Sequence, residues 1–169
     1  CRDIEEALES GADSVSISSA AFRDKKMVGD AVKEFGSNRI IIAIDADKNE
    51  KMPSKREVYI DGGRTPTGKD AVQFAIEMKD IGVGRILPTS RATDGTKQGY
   101  DLKLTREIAD TTKLPVIASG GAGRLEHFFD AVKEGHASAL LAASVFHFGI
   151  FTIKQVKKYL KDHNVPVII

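Results

Sequence analysis

Asp45 closes the most apolar run of the chain, Ile40-Ile41-Ile42-Ala43-Ile44. If that run is a strand of a parallel sheet, its carboxylate emerges at the strand's C-terminal edge, where parallel α/β folds keep their catalytic groups. Apolar surroundings raise a carboxyl pKa and let the group exchange protons near neutral pH, which makes Asp45 the candidate general acid or base. An Asp that caps a loop turn carries the same signature, so position alone leaves both roles open.

Two further stretches suit an anion. Ser119-Gly120-Gly121-Ala122-Gly123 lies between an apolar run and a helical stripe. Glycines let the backbone approach an anion, and a following helix aims N–H groups and a positive dipole at it. Ala142-Ala143-Ser144, after the next apolar run, offers the other half of a phosphate cup, as in barrels that hold phosphate on the loops after strands seven and eight. Either run alone reads as a tight turn, whereas the pair on consecutive strands favours phosphate. Asp94-Gly95-Thr96 is by itself an ordinary turn, and His147, set between Phe146 and Phe148, reads as packing. Cys1 is the one cysteine, which excludes an internal disulfide and a Cys-based zinc site; no metal and no cofactor are expected.

Positioning these residues requires alternating elements. Met27, Val28, Ala31, Val32 and Phe35 form a helical stripe, as do Leu125, Phe128, Phe129 and Val132. Short runs rich in Ile, Val, Leu and Ala at 14–18, 40–45, 85–90, 115–119 and 137–142 suit strands buried on both faces. Further helices are predicted over 4–10, 68–80, 102–112 and 153–163. The class is therefore α/β. Asp101 is a candidate N-cap, and Gly11, Gly36, Gly82 and Gly135 stand where a left-handed residue would end a helix. Residues 46–67 break the rhythm with a charged excursion, Val58-Tyr59-Ile60 and a Gly62-Gly63 turn, the makings of a β-hairpin.

Residues 7–15 and 131–139 share Ala, Gly and Ser at matching places, and Phe22 aligns with Phe146, so one helix-Gly-strand unit is used twice. Repeated βα units build an open doubly wound sheet or a closed (β/α)₈ barrel, and the absence of a Gly-x-Gly-x-x-Gly fingerprint disfavours the dinucleotide-binding version.

The 169 residues suit one domain spanning 1–169, and 41% hydrophobic with 29% charged residues is ordinary globular composition. Twenty-five basic against 24 acidic residues leave +1, no excess with which to hold a nucleic acid or an anionic membrane. The longest uncharged stretch, 135–153, carries His136, Ser138, Ser144, His147 and Thr152, a poor spanning helix, and the start has no apolar signal core. A cytoplasmic protein is expected. Without an initiator Met, the chain reads as beginning in mid-fold.

Ile44-Asp45-Ala46, Gly62-Gly63-Arg64-Thr65-Pro66-Thr67-Gly68, Thr89-Ser90 with Asp94-Gly95-Thr96 and Gly99-Tyr100-Asp101, Ile117-Ala118-Ser119-Gly120-Gly121-Ala122-Gly123, and Ala142-Ala143-Ser144-Val145-Phe146-His147-Phe148 closely resemble the cyclase subunit of imidazole glycerol phosphate synthase. The sister isomerase of histidine biosynthesis shares the Asp-Gly-Thr and Gly-Gly elements, while Gly99-Tyr100-Asp101 and residues 144–148 look like the cyclase. The resemblance implies a (β/α)₈ barrel of two related halves, each with a phosphate site. It implies an enzyme that joins ammonia from a partner glutaminase to a bis-phosphorylated substrate, releasing imidazole glycerol phosphate and an aminoimidazole carboxamide ribotide. It makes Asp45 one of two acid/base aspartates, places Asp94, Gly95, Ser119, Gly120, Gly121, Ala143 and Ser144 around one phosphate, and Ser18 and Ser19 at the other.

Against that pattern, five strands stand where the barrel has eight. The resemblance thus implies a C-terminal part lacking the first three strands, one catalytic Asp and an active-site Lys, inactive by itself. Arg91 and Ala92 replace an apolar residue and a carboxylate of the loop, and Ser14 and Arg85 stand where the family's ammonia gate has Lys and Glu; Asp13 matches a position facing the glutaminase. A non-catalytic phosphate-binding half-barrel that serves assembly, and the sister isomerase, are the alternative readings.

Overall fold

The isoleucine run forms the longest strand because β-branched side chains suit a pleated surface covered by helices. Ile40, Ile42, Ile44 and Ala46, every second residue, are at most 1% exposed. They pack with Val28, Ala31, Phe74, Ala75 and Met78 of the covering helices. Each large aliphatic side chain so buried contributes on the order of 2 kcal/mol.

The computed structural model describes residues 1–168. Its strands are β1 (Val15–Ile17), β2 (Ile40–Lys48), β3 (Arg56–Ile60), β4 (Thr65–Asp70), β5 (Arg85–Ser90), β6 (Ile117–Ala118) and β7 (Ala139–Leu140). Its α-helices are α1 (Arg2–Glu9), α2 (Ser19–Arg23), α3 (Lys25–Phe35), α4 (Ala71–Ile81), α5 (Leu102–Thr112), α6 (Leu125–Lys133), α7 (Ser144–His147) and α8 (Ile153–Asp162).

β1, β2 and β5 are parallel neighbours, as are β6 and β7. The parallel bridges Ile86 to Val116 and Thr89 to Ser119 join β5 to β6. The result is a five-strand parallel arc in chain order with helices on one face, a partial (β/α)₈ barrel that does not close among the described residues. Helices α3, α4, α5 and α6 pack side by side outside the arc. Two apolar clusters result, one beneath α3 to α5 and one around α6, α8, Tyr100 and Val145. Residues of the opposite face, among them Ala43, Asp45, Leu87 and Thr89, are half-buried, while Ser16, Ala139 and Leu141 at the arc's two ends are exposed.

The excursion after β2 is the β3–β4 hairpin, with β3 antiparallel to residues Asp45 to Lys48, so that β2 runs three residues beyond the expected strand end. Residues 68–80 are not one helix. Gly68 and Lys69 belong to β4, and α4 starts at Ala71 because the Asp70 carboxylate caps it, accepting from Val72 N at 2.9 Å and Gln73 N at 3.0 Å. Buried Glu57 holds the strand form at that point by accepting from Gly68 N at 2.6 Å. The runs 115–119 and 137–142 reduce to two strand residues each: Pro115 has no N–H to give a ladder, and Gly120, with φ of 84°, turns the chain out of the sheet. The short helices α2 and α7 were not foreseen by periodicity, being too brief to show a stripe.

Gly11, Gly36 and Gly82 have the expected positive φ. Gly135 does not. His136 takes the left-handed conformation at φ 56°, and Gly135 is needed for space, since a Cβ there would lie 2.6 Å from Ala131 O.

Asp101 caps α5, accepting from Leu104 N at 3.1 Å, and its other oxygen pairs with Arg56 Nε at 2.7 Å. The two side chains are 8% and 12% exposed. Asp101→Asn keeps the cap but leaves the Arg56 charge without its partner. It is expected to cost about 3 kcal/mol, because a nearly buried cation loses its compensating charge, and urea unfolding monitored by circular dichroism measures that loss.

Candidate functional site

The C-terminal ends of β5, β6 and β7 open into one cleft of about 120 Å³. Asp94 and Gly95 reach it from the β5–α5 loop, Ser119, Gly120 and Gly121 from the β6–α6 loop, and Ala143 and Ser144 from the start of α7. The resemblance implies that these seven residues share one phosphate site, and the fold brings them to one place. Lys97 lines the same cleft and was not singled out. In sequence it is a cation directly after the Asp94-Gly95-Thr96 turn, with the appearance of any solvated loop lysine, and its positive φ of 59° shows that the turn extends to it. Glycine-rich backbone, two hydroxyls and a lysine form a neutral-to-cationic lining suited to an oxyanion, with Asp94 the one carboxylate.

Backbone contacts hold the cleft's loops together. Gly121 has φ of 103° and accepts from Gly99 N at 2.8 Å. A Cβ on Gly121 would lie 2.0 Å from Gly99 O, so the two loops touch as bare backbone. Thr93 Oγ1 donates to Gly120 O at 3.3 Å, and Tyr100 Oη donates to Leu141 O at 3.0 Å. Burial pushes the Tyr100 hydroxyl far above its ordinary pKa, which keeps the proton on that donor.

Asp45 stands beside the cleft. In the sheet register it is opposite Thr89, and Thr89 is opposite Ser119, so the three form one row across β2, β5 and the end of β6. All three project from the face turned away from the helices. Burial raises the Asp45 carboxyl pKa, and the Asp94 charge adds to the rise, while the Arg91 cation opposes it. Arg91 is itself engaged: its Nη1 donates to Asp47 Oδ2 at 2.7 Å, and its guanidinium lies 4.6 Å from the Tyr59 ring centre. It fills the space over Gly63, where a Cβ would be 2.8 Å from Arg91 Nε. The cation that departs from the family pattern is thus tied to the hairpin.

Ser18 and Ser19 lie at the end of β1, outside the cleft. From β1 to β6 is three strand spacings, about 14 Å along the sheet, with Asp45 on the intervening β2. Ser18 makes no side-chain cap bond to α2, and Ser19 Oγ accepts from Asp61 N at 2.9 Å, tying α2 to the hairpin. Arg85 begins β5 opposite Ile41, and among the described residues no carboxylate pairs with it. The His147 ring packs on Phe148 with centres 4.9 Å apart, and Cys1 is exposed and free. No three His, Cys, Asp or Glu residues converge on a metal position among the described residues, and no described helix is long and apolar enough to cross a membrane.

The model of a family described as histidine biosynthesis protein matches residues 1–152 of this chain. That span holds every residue of the cleft and the whole Asp45–Thr89–Ser119 row.

Gly121 and Gly95 both have positive φ, but nothing lies within 4 Å of a Cβ on Gly95. Gly95→Ala is expected to cost about 1 kcal/mol, the price of the left-handed backbone alone. Gly121→Ala must also push the two loops apart and is expected to cost well above that, about 3 kcal/mol. Paired denaturation curves check the order of the two losses.

Proposed function

We propose that this chain, which belongs to the histidine biosynthesis protein family of isomerases and cyclases built on (β/α)₈ barrels, acts as part of the cyclase subunit of imidazole glycerol phosphate synthase. The observation that carries the reading is the row Asp45–Thr89–Ser119, which sets a carboxyl of raised pKa beside a cleft suited to phosphate. Support for the cyclase over the isomerase comes from Gly99-Tyr100-Asp101 and from residues 144–148, the stretches that resemble the cyclase.

In this reading one phosphate of the bis-phosphorylated substrate sits in the cleft on the amides of Gly95, Gly120 and Gly121 and the hydroxyls of Ser119 and Ser144, with Lys97 supplying charge. The other sits near Ser18 and Ser19. The intervening part of the substrate then crosses β2, where Asp45 takes or returns a proton as ammonia adds and the ring closes. Burial that raises the carboxyl's pKa makes it a better base once ionised, which suits it to taking and returning a proton. The partner glutaminase delivers ammonia from the strands' N-terminal side, near Asp13, Ser14 and Arg85. The protein works in the cytoplasm without cofactor or metal.

One observation favours a different class. The cleft is built from backbone and loop residues that do not include Asp45, so it can hold an anion without any proton transfer, as a phosphate-binding assembly module would. The two readings separate in one assay: the chain is combined with a polypeptide carrying a cyclase's first three βα units, and the bis-phosphorylated substrate is followed with and without ammonia. Ammonia-dependent appearance of both products is expected, and Asp45→Asn should reduce the rate at least about 100-fold, the size of a lost acid/base step, without loss of phosphate binding. Binding with no turnover would leave the assembly module, and isomerisation without ammonia would make the chain the sister enzyme.

The charges around Asp45 set a second expectation. Arg91 lowers the Asp45 pKa, so Arg91→Leu removes that pull and lets the value rise further. The acidic limb of the rate profile should move to higher pH in Arg91→Leu, which a kcat series across pH 5 to 8 would reveal.

A further inference from the structure

His127 has no part in the mechanism above, yet it is 6% exposed and sits directly behind the cleft. It occupies the third position of α6, and its Nδ1 lies 3.1 Å from the amide of Gly123, the last glycine of the β6–α6 loop. The other face of the ring lies against the β5–α5 loop, with a Cβ on Gly99 meeting His127 Cδ2 at 3.6 Å. Gly99 in turn donates to Gly121 O. One imidazole therefore touches both loops whose backbone lines the cleft. The arrangement extends a capping box by one residue: the side chain at the third helical position reaches back past the N-cap, Arg124, to the residue before it.

The tautomer follows from the donors. Gly123 N–H points at Nδ1, and Arg124 Nε lies 3.3 Å from Nε2. A neutral imidazole accepts at one nitrogen only. The amide is fixed in the backbone while the Arg124 side chain can turn, so Nδ1 accepts and Nε2 carries the proton.

We propose that His127 is a positioning residue for anion binding, whose Nδ1 holds the Gly123 amide and thereby sets the Ser119–Gly123 loop in the shape that presents its N–H groups to a phosphate. The inference rests on the reading of the cleft as a phosphate site. Protonation of the ring turns Nδ1 into a donor facing a donor and releases the loop. The charged and titratable groups around the ring are Arg124, Glu126 and Asp130 of its own helix end, with Lys97 and Tyr100 on the facing loop. Burial, then Arg124, holds the ring's pKa below the ordinary histidine value, with Asp130 and Glu126 opposing, so the accepting form prevails at neutral pH.

The test is titration of inorganic phosphate into the whole chain by calorimetry, for the wild type and three variants. His127→Asn places an amide oxygen where Nδ1 was, His127→Gln places one near Nε2, and His127→Leu fills the volume with no acceptor. Asn is expected within about twofold of wild type, while Gln and Leu weaken phosphate about tenfold, the size of one hydrogen bond. The ratio of wild-type to Asn affinity should fall as pH drops through the imidazole's titration, a comparison in which phosphate's own protonation cancels. Amide exchange at Gly123 should be slow in wild type and Asn and fast in Leu. Equal phosphate affinity in all four proteins, or Leu matching Asn, overturns the proposal while leaving the phosphate site standing. A wild type that takes up no phosphate overturns the site and the proposal together.

Discussion

Three consecutive residues, Gly99-Tyr100-Asp101, hold together what the strands alone leave apart. Gly99 donates to Gly121 of the β6–α6 loop, Tyr100 donates to Leu141 at the end of β7, and Asp101 pairs with Arg56 of the hairpin while capping α5. The parallel strands β6 and β7 have only two residues each in regular pairing, too little to fix the loops that follow them. The cleft therefore depends on lateral fastening. Each of the three residue types has its reason: Gly99 takes a φ of 111° that side-chain-bearing residues rarely adopt, a phenol reaches Leu141 O from a buried ring, and a carboxylate with two oxygens serves cap and cation at once.

The same logic of pairing places charge around Asp45. The two faces of β2 differ, helix-facing isoleucines being fully buried and the opposite face half-open, so Asp45 is desolvated enough to raise its pKa but not cut off from solvent. Asp94 and Arg91, both on or just after the end of β5, act on it in opposite directions. Burial and Asp94 favour the protonated carboxyl, whereas Arg91 favours the ionised one, and the net direction is upward.

The sequence disclosed the α/β class, the five buried strands and the hairpin, because buried β-branched runs and glycine turns are local signals; the order of the strands in the sheet followed only from the resemblance. Helix and strand ends were less legible where tertiary contacts decided them. Gly68 and Lys69 look helical beside the apolar stripe of α4, but the Glu57 carboxylate and the hairpin ladder claim them for β4. Gly135 resembles a left-handed helix terminus, yet the crowding of Ala131 O makes it a spacing residue and passes the positive φ to His136. Of the cleft, the glycines and serines were readable as loop chemistry at strand ends. Lys97 and His127 were not, since a lysine in a turn and a histidine on a helix have the same appearance whether or not the fold turns them toward an anion-binding loop.

Arg91 shows how a departure from a family pattern can be absorbed. Its pair with Asp47 is substantially exposed, at 39% and 28%, so the charge attraction alone contributes less than about 1 kcal/mol. Stacking on Tyr59 and the space kept open at Gly63 make the contact directional, and both partners belong to the hairpin. Together with Ser19 holding Asp61 and Arg56 holding Asp101, the stacking of Arg91 on Tyr59 gives the hairpin three separate tethers, to α2, to the end of β5 and to the start of α5. A segment fastened on three sides is not a free flap. The excursion that broke the sequence rhythm is therefore a fixed wall of the site, and Arg91, while opposing the rise in the Asp45 pKa, also holds that wall against the strand that carries it.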